Sequence, residues 1–275
     1  MRIARNGAAK AAMIAETRRE GDDLVDADVP AAVVCAHCGD ADCPGCLHEI
    51  TRSGVVAVVA WERPGTPALA SLWATARATT FDADRFFASL PDGPLVPAIR
   101  FAVASEMIAS SAMILALAFP LSMLAPSWAK HLFLEHPLTT ARLVAAAIPG
   151  LALLLVIAHV AHAWALDRGA RHSGARSAAK HAVRFGLYAT GWDLVVGPFG
   201  AAVVAAKEGL SAALSIATVG VGLPGRSARA FLRGCYHLEG KSAEPALRAS
   251  FAAAVVATAA GAAVVIAALL AALLS

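Results

Sequence analysis

Four long apolar runs in the second half of the chain constrain its fold more than any other feature. They cover residues 101–124, 143–166, 183–223 and 249–274. A helix needs about 20 residues to cross the hydrocarbon core of a bilayer, so the 41-residue third run suits two crossings and the others one each. We expect the third run to break at residues 197–200, where Gly-Pro-Phe-Gly interrupts the helix. The sequence therefore predicts an all-α, polytopic membrane helix bundle with about five transmembrane helices over residues 97–275.

The composition agrees with a membrane protein and argues against several other classes. Only 16% of the residues are charged and 58% are hydrophobic, whereas a soluble domain carries about 25% charged residues. The net charge of +3 is too small to indicate a nucleic-acid partner. The first 20 residues are basic but have no sustained apolar core, so we expect no cleaved secretory signal.

Positive charge is concentrated in two of the predicted loops. The basic residues are Arg168, Arg171, Arg176, Lys180 and Arg184 in one loop, and Arg226, Arg229, Arg233, Lys241 and Arg248 in the other. With five crossings both loops fall on the side of the N-terminus, whereas six crossings would separate them. Because basic loops stay in the cytoplasm, we expect a cytoplasmic N-terminus and a C-terminus on the far side. The same loops would attract anionic lipid headgroups.

Ionisable residues inside the apolar runs are candidate functional groups. Asp193 and Lys207 flank the predicted turn at comparable depth, so they are expected to face each other or a polar cavity, unless they extend outward to the interface. His159 and His162 share one helix face and could bind a metal or relay protons. Hydrogen bonds to a neighbouring helix are the alternative for both histidines. Glu106 is expected to be exposed at the membrane interface.

Four of the five cysteines form two Cys-x-x-Cys pairs, at Cys35, Cys38, Cys43 and Cys46. Two such turns provide four thiolates, which satisfies a closed, tetrahedral, structural zinc site. The predicted cytoplasmic location keeps thiols reduced and disfavours disulfides. An iron–sulfur cluster and a redox-active pair are alternatives, and His37 or His48 could replace one cysteine. Residues 55–61 have the pattern of a strand that could pack on this module.

These features divide the chain into four parts. Residues 1–30 form a flexible tail and acidic linker, residues 31–66 the zinc-binding module, residues 67–96 an amphipathic segment and residues 97–275 the membrane domain. The amphipathic segment could lie along the inner leaflet, or it could pack on the zinc module as ordinary core.

Several motifs resemble those of the Yip1-domain family of membrane proteins, in its bacterial form. They are Thr-Phe-Asp-Ala-Asp-Arg-Phe-Phe at 80–87, Arg-Phe-Gly-Leu-Tyr-Ala-Thr-Gly at 184–191 and Gly-Pro-Phe-Gly at 197–200. The cysteine pairs resemble the B-box-like zinc module that precedes this domain in some bacterial members, and Ala-Trp-Glu-Arg at 60–63 resembles the junction that follows it. The resemblance covers residues 31–274 and implies a five-helix membrane domain in a bacterial inner membrane, with a periplasmic C-terminus. In eukaryotes this family is linked to vesicle trafficking.

Two functions are compatible with these features. The first is a non-enzymatic membrane protein that organises membrane or recruits protein partners through its cytoplasmic zinc module. The second is a transporter or lipid-translocating protein that uses Asp193, Lys207, His159 and His162. An enzyme is disfavoured, because the sequence shows no nucleophile–base pair, phosphate-binding glycine loop or open metal site. A continuous polar cavity that reaches the four residues would favour transport over the first function.

Overall fold

A computed structural model describes residues 59–274 of this protein, and regular structure in that part of the chain is entirely helical. The tail, the linker and the four cysteines of the predicted zinc site lie outside the described residues. The predicted strand is wrong at its described end, because Ala60–Glu62 forms a short 3-10 turn. The α-helices are α1 (Ala68–Phe81), α2 (Ala83–Ala88), α3 (Leu95–Leu124), α4 (Pro126–Lys130), α5 (Pro137–His172), α6 (Ala179–Ala189), α7 (Gly191–Val196), α8 (Pro198–Glu208), α9 (Leu210–Phe231) and α10 (Glu244–Leu274).

Three of the described helices are long and apolar enough to cross a membrane, namely α3, α5 and the Glu244–Val264 part of α10. The continuous stretch α6–α7 and the bent helix α8 add a fourth candidate if they form one span. Large apolar side chains of these helices point away from the bundle, and Leu115 for example is 72% exposed. Soluble proteins rarely expose apolar surface on this scale, so the chain is a membrane protein with transmembrane helices.

The chain reverses direction later than the sequence predicted. A helix break does lie at Gly197–Pro198, but α7 and α8 bend by only 44° there. Proline fits the first turn of a new helix without losing a needed hydrogen bond, so this break is a kink. Helix α9 begins after Gly209 and packs against α8. Gly209 has a φ of 92°, a backbone conformation that glycine adopts more easily than other residues. The predicted turn at 197–200 is therefore wrong in its position.

The amphipathic segment packs against the membrane helices. Helix α1 contacts α7 and α2 contacts α9, with Leu72 and Phe87 buried in these contacts. Phe87 meets Phe185 edge to face at a centroid distance of 4.7 Å, and Phe185 stacks on Phe231 at 4.6 Å. Leu69 remains exposed on the outer side of α1. The buried face of this segment is thus part of the core of the bundle.

Arg184 lies in this core. The sequence predicted that it belongs to a basic loop, and that prediction is wrong. Helix α5 continues to His172 and α6 already begins at Ala179, so Arg184 falls within a helix and is only 1% exposed. Its Nη2 donates to the Glu62 carboxylate at 2.7 Å and its Nη1 donates to the Pro94 carbonyl at 2.8 Å. Tyr188 donates its hydroxyl to the same carboxylate. The 60–62 turn is thereby fastened to α6.

Replacing Arg184 with alanine should destabilise the bundle strongly. The change leaves the Glu62 carboxylate without its charged partner, and loss of one member of a buried pair costs about 3 kcal/mol. Unfolding of the purified protein in detergent, followed by tryptophan fluorescence, would measure the change in free energy. Arg176→Ala in an exposed loop is the control, and equal unfolding midpoints for the two variants would contradict the role of Arg184.

Candidate ion site inside the helix bundle

Three ionisable side chains from three helices meet inside the bundle. Glu106 comes from α3, His159 from α5 and Asp193 from α7, and one ligand atom of each lies within 4.8 Å of the other two. His159 Nε2 lies 2.9 Å from Asp193 Oδ2 and 3.7 Å from Glu106 Oε1. Because an ionised carboxylate only accepts hydrogen bonds, the imidazole is the donor to Asp193. We refer to these three residues as the acidic–histidine cluster.

Close helix packing brings the cluster together. A Cβ at Gly186 would lie 2.6 Å from the His159 carbonyl oxygen, so only glycine lets α6 approach α5 so closely at that point. The Trp192 ring packs edge to face on the His159 ring, with 5.7 Å between the ring centroids. Asp193 follows Trp192 directly, and this contact places its carboxylate at the imidazole.

Glu106 is the least satisfied member of the cluster. Its side chain is 0% exposed, and neither carboxylate oxygen has a hydrogen-bond partner among the described residues. A buried, unpartnered carboxylate is costly, and in a membrane span it indicates function by default. The sequence prediction that Glu106 is exposed at the interface is wrong. It is the only charged residue in the apolar run 101–124, and that signal could have identified it.

The structure separates the other predicted polar residues from this cluster. Asp193 pairs with His159 and not with Lys207, which is exposed near the end of α8, beyond the Gly197–Pro198 kink. The expected pairing is therefore wrong, because α7 and α8 continue along one path and do not run antiparallel. His162 places Nδ1 3.1 Å from the Ser250 carbonyl oxygen, which is the hydrogen bond to a neighbouring helix that the sequence left open.

A pocket of about 240 Å³ opens between α1, α3, α7 and α8. It is lined by Leu69, Leu72, Trp73, Ile108, Leu194, Phe199 and Val203. These side chains are apolar along almost all of their surface, and none belongs to the acidic–histidine cluster. This pocket is thus not the polar cavity that would connect the predicted residues.

A second buried carboxylate, Asp167, has hydrogen-bond or ion-pair partners for both of its oxygens. It accepts hydrogen bonds from the Tyr236 hydroxyl at 2.7 Å and from the Ala178 amide at 2.8 Å. The Ser177 hydroxyl donates at 3.1 Å, and Arg171 Nε lies at 3.3 Å. Burial and the bond to Asp167 raise the pKa of Tyr236, which keeps its proton in place. The Asp167 network is therefore a structural clamp at the end of α5.

Cys235 should react slowly with thiol reagents. Burial, and then the nearby Asp167 and Asp92 carboxylates, raise its pKa to about 11, and only the thiolate is nucleophilic. With the other four cysteines replaced by serine, maleimide alkylation at pH 8 should be at least about tenfold slower than at an exposed thiol.

The control for this experiment combines Cys235→Ser with Arg176→Cys in the exposed loop. Its alkylation rate should level off above the ordinary thiol pKa of about 8.5. The rate at Cys235 should keep rising through pH 10, and similar profiles for the two thiols would refute the raised pKa.

No family model, curated protein or solved structure matches this chain. The resemblance to the Yip1-domain family stays a prediction made from the residues alone.

Proposed function

We propose that this protein is a multi-pass transporter that binds a cation inside its helix bundle, at Glu106, His159 and Asp193. The observation that carries the proposal is the Glu106 carboxylate, which is fully buried, has no hydrogen-bond partner within residues 59–274 and lies against the other two residues. The proposal keeps the five-crossing arrangement with a cytoplasmic N-terminus, which the basic residues predict. It also keeps the bacterial inner membrane and the periplasmic C-terminus, which the resemblance to the Yip1-domain family implies.

The charge balance of the cluster supports a bound cation. With both carboxylates ionised the cluster would carry two negative charges, while the imidazole can supply at most one positive charge. Within residues 59–274 no lysine or arginine forms an ion pair with Glu106 or Asp193. An unbalanced charge at the bilayer centre costs at least about 2.5 kcal/mol. A cation bound between the carboxylates would offset this cost.

The exposure of the three side chains suggests a direction of access. The Asp193 side chain is 34% exposed, that of His159 is 15% exposed and that of Glu106 is fully buried. His159 lies between the two carboxylates and contacts both. A cation would therefore meet Asp193 first and Glu106 last.

The second candidate function is the non-enzymatic organiser that recruits partners through a structural zinc module at Cys35, Cys38, Cys43 and Cys46. The apolar lining of the pocket beside α1 favours it, because no polar path to the cluster runs through that pocket. This function needs no ion flux, so a flux measurement separates it from transport.

Glu106→Gln should strongly reduce cation transport. The amide keeps the shape of the side chain but removes the charge that holds the cation. The full chain would be reconstituted in liposomes, and uptake of protons, Na⁺ and divalent cations followed with entrapped dyes and radioisotopes. Flux should fall at least about tenfold in the variant, as expected for losing a charged ligand worth 1.4 kcal/mol or more.

Glu244→Gln is the matched control, because this glutamate is exposed at the start of α10 and forms an ion pair with Arg248 in the same helix. It should leave the flux unchanged. If no cation enters faster than in protein-free liposomes, transport is excluded and the organiser function is favoured.

Glu106→Met should make the protein more stable while it removes the flux. Methionine fills a similar volume without a buried charge, and such replacements often stabilise a fold by about 1–4 kcal/mol. The midpoint of thermal unfolding in detergent would measure the change. A lower midpoint would show that Glu106 serves the fold and would count against a cation site.

A further inference from the structure

We propose that the acidic–histidine cluster is a metal site that binds one divalent transition-metal cation of the Zn²⁺ or Mn²⁺ class. The Glu106 carboxylate, His159 Nε2 and the Asp193 carboxylate are the three protein ligands. The inference rests on the proposed cation site and names the ion that the site takes.

The spacing of the ligand atoms fits an ion of this size. Zinc lies about 2.0–2.2 Å from nitrogen and oxygen ligands in tetrahedral geometry, so two of its ligands lie about 3.3–3.6 Å apart. His159 Nε2 is 2.9 Å from Asp193 Oδ2 and 3.7 Å from Glu106 Oε1, and all three atoms lie within 4.8 Å of one another. Small rotations of the two carboxylates would bring all three atoms to bonding distance of one centre.

The donor set selects among cations. Mg²⁺ and Ca²⁺ prefer sites made only of oxygen, whereas an imidazole with carboxylates suits zinc, manganese and iron. A divalent ion balances the two carboxylates while His159 stays neutral, so the filled site has no net charge within the membrane. A monovalent ion would leave one negative charge uncompensated.

The state of Glu106 is an independent sign of a missing ligand. The carboxylate is completely buried, and both of its oxygens lack hydrogen-bond partners in the part of the chain that the structure describes. Asp167 is equally buried, yet its oxygens accept bonds from three groups. The same fold thus satisfies one buried carboxylate and leaves the other facing an imidazole and a second carboxylate. A metal bound there supplies the partner that Glu106 lacks.

Three protein ligands leave one coordination position open. Structural zinc sites use four protein ligands, whereas sites with three keep water or another molecule in the fourth position. Asp193 is the most exposed of the three ligands, so the fourth position is expected on its side of the cluster. The site is therefore of the exchangeable kind, as a transported ion requires.

The test measures zinc bound to the full chain in detergent, purified with a tag that contains no histidine. A background with Cys35, Cys38, Cys43 and Cys46 changed to serine removes the predicted cysteine site. Equilibrium dialysis against ⁶⁵Zn²⁺ should find one ion per chain in this background, and one more with the cysteines intact. Glu106→Gln and Asp193→Asn should each weaken binding at least tenfold, while Glu244→Gln should not.

Two further measurements distinguish loss of zinc binding from loss of folding. X-ray absorption of the bound zinc should show nitrogen and oxygen neighbours without sulfur, which excludes Cys235 as a ligand. Zinc should also raise the unfolding midpoint of the background protein but not that of Glu106→Gln, because a ligand stabilises only the state that binds it.

The outcomes separate this inference from the proposed function. If Zn²⁺ and Mn²⁺ do not bind, or bind equally well after Glu106→Gln, the metal site is overturned even where Glu106-dependent flux of another cation persists. If zinc binds through Glu106 but no ion crosses the liposome membrane, the metal site stands and transport is overturned.

Discussion

A guanidinium buried in a helix bundle must be paired, and the position of Arg184 therefore determines much of this structure. Its contacts with Glu62 and the Pro94 carbonyl join the 60–62 turn, the segment before α3 and helix α6. Trp61 adds a bond from its Nε1 to the Pro97 carbonyl at 2.9 Å. With α6 fixed in this way, Gly186 lies against His159 and the following helix carries Asp193 to the imidazole.

The two buried carboxylates, Asp167 and Glu106, are accommodated in different ways. Asp167 is surrounded by donors near the end of α5, where the cost of burial is offset by hydrogen bonds. Glu106 lies beside an imidazole and a second carboxylate, where α3, α5 and α7 meet. The Asp167 network links α5 to the segments that follow it, while the Glu106 carboxylate has no hydrogen-bond partner within residues 59–274.

The sequence predicted the helices well because lipid imposes a strong rule on them. A backbone in hydrocarbon must bond internally, so apolar runs of sufficient length become helices, and α3, α5 and α10 each contain one predicted run. The same pattern cannot show where a helix begins. Helix α3 starts at Leu95, so Glu106 lies eleven residues, or about 16 Å, along it, where its side chain is buried.

The sequence also could not show which side chains on different helices contact one another. The predicted contact between Asp193 and Lys207 requires the chain to reverse at the Gly-Pro break. Proline at the start of a helix only bends the chain there. His159 lies 34 residues from Asp193, and their contact depends on glycine-mediated packing that no local pattern reveals. The cysteine module and the Yip1-domain resemblance remain predictions, since neither the described residues nor known proteins bear on them.

The kink after α7 has a mechanical consequence. Asp193 lies on α7, which continues α6 and ends at the Gly197–Pro198 kink. The indole of Trp192 donates a hydrogen bond to the Thr79 carbonyl oxygen at 3.0 Å, so packing on α1 holds this side of the kink in place. A change in the bend would therefore move α8 and leave the contact between Asp193 and His159 intact.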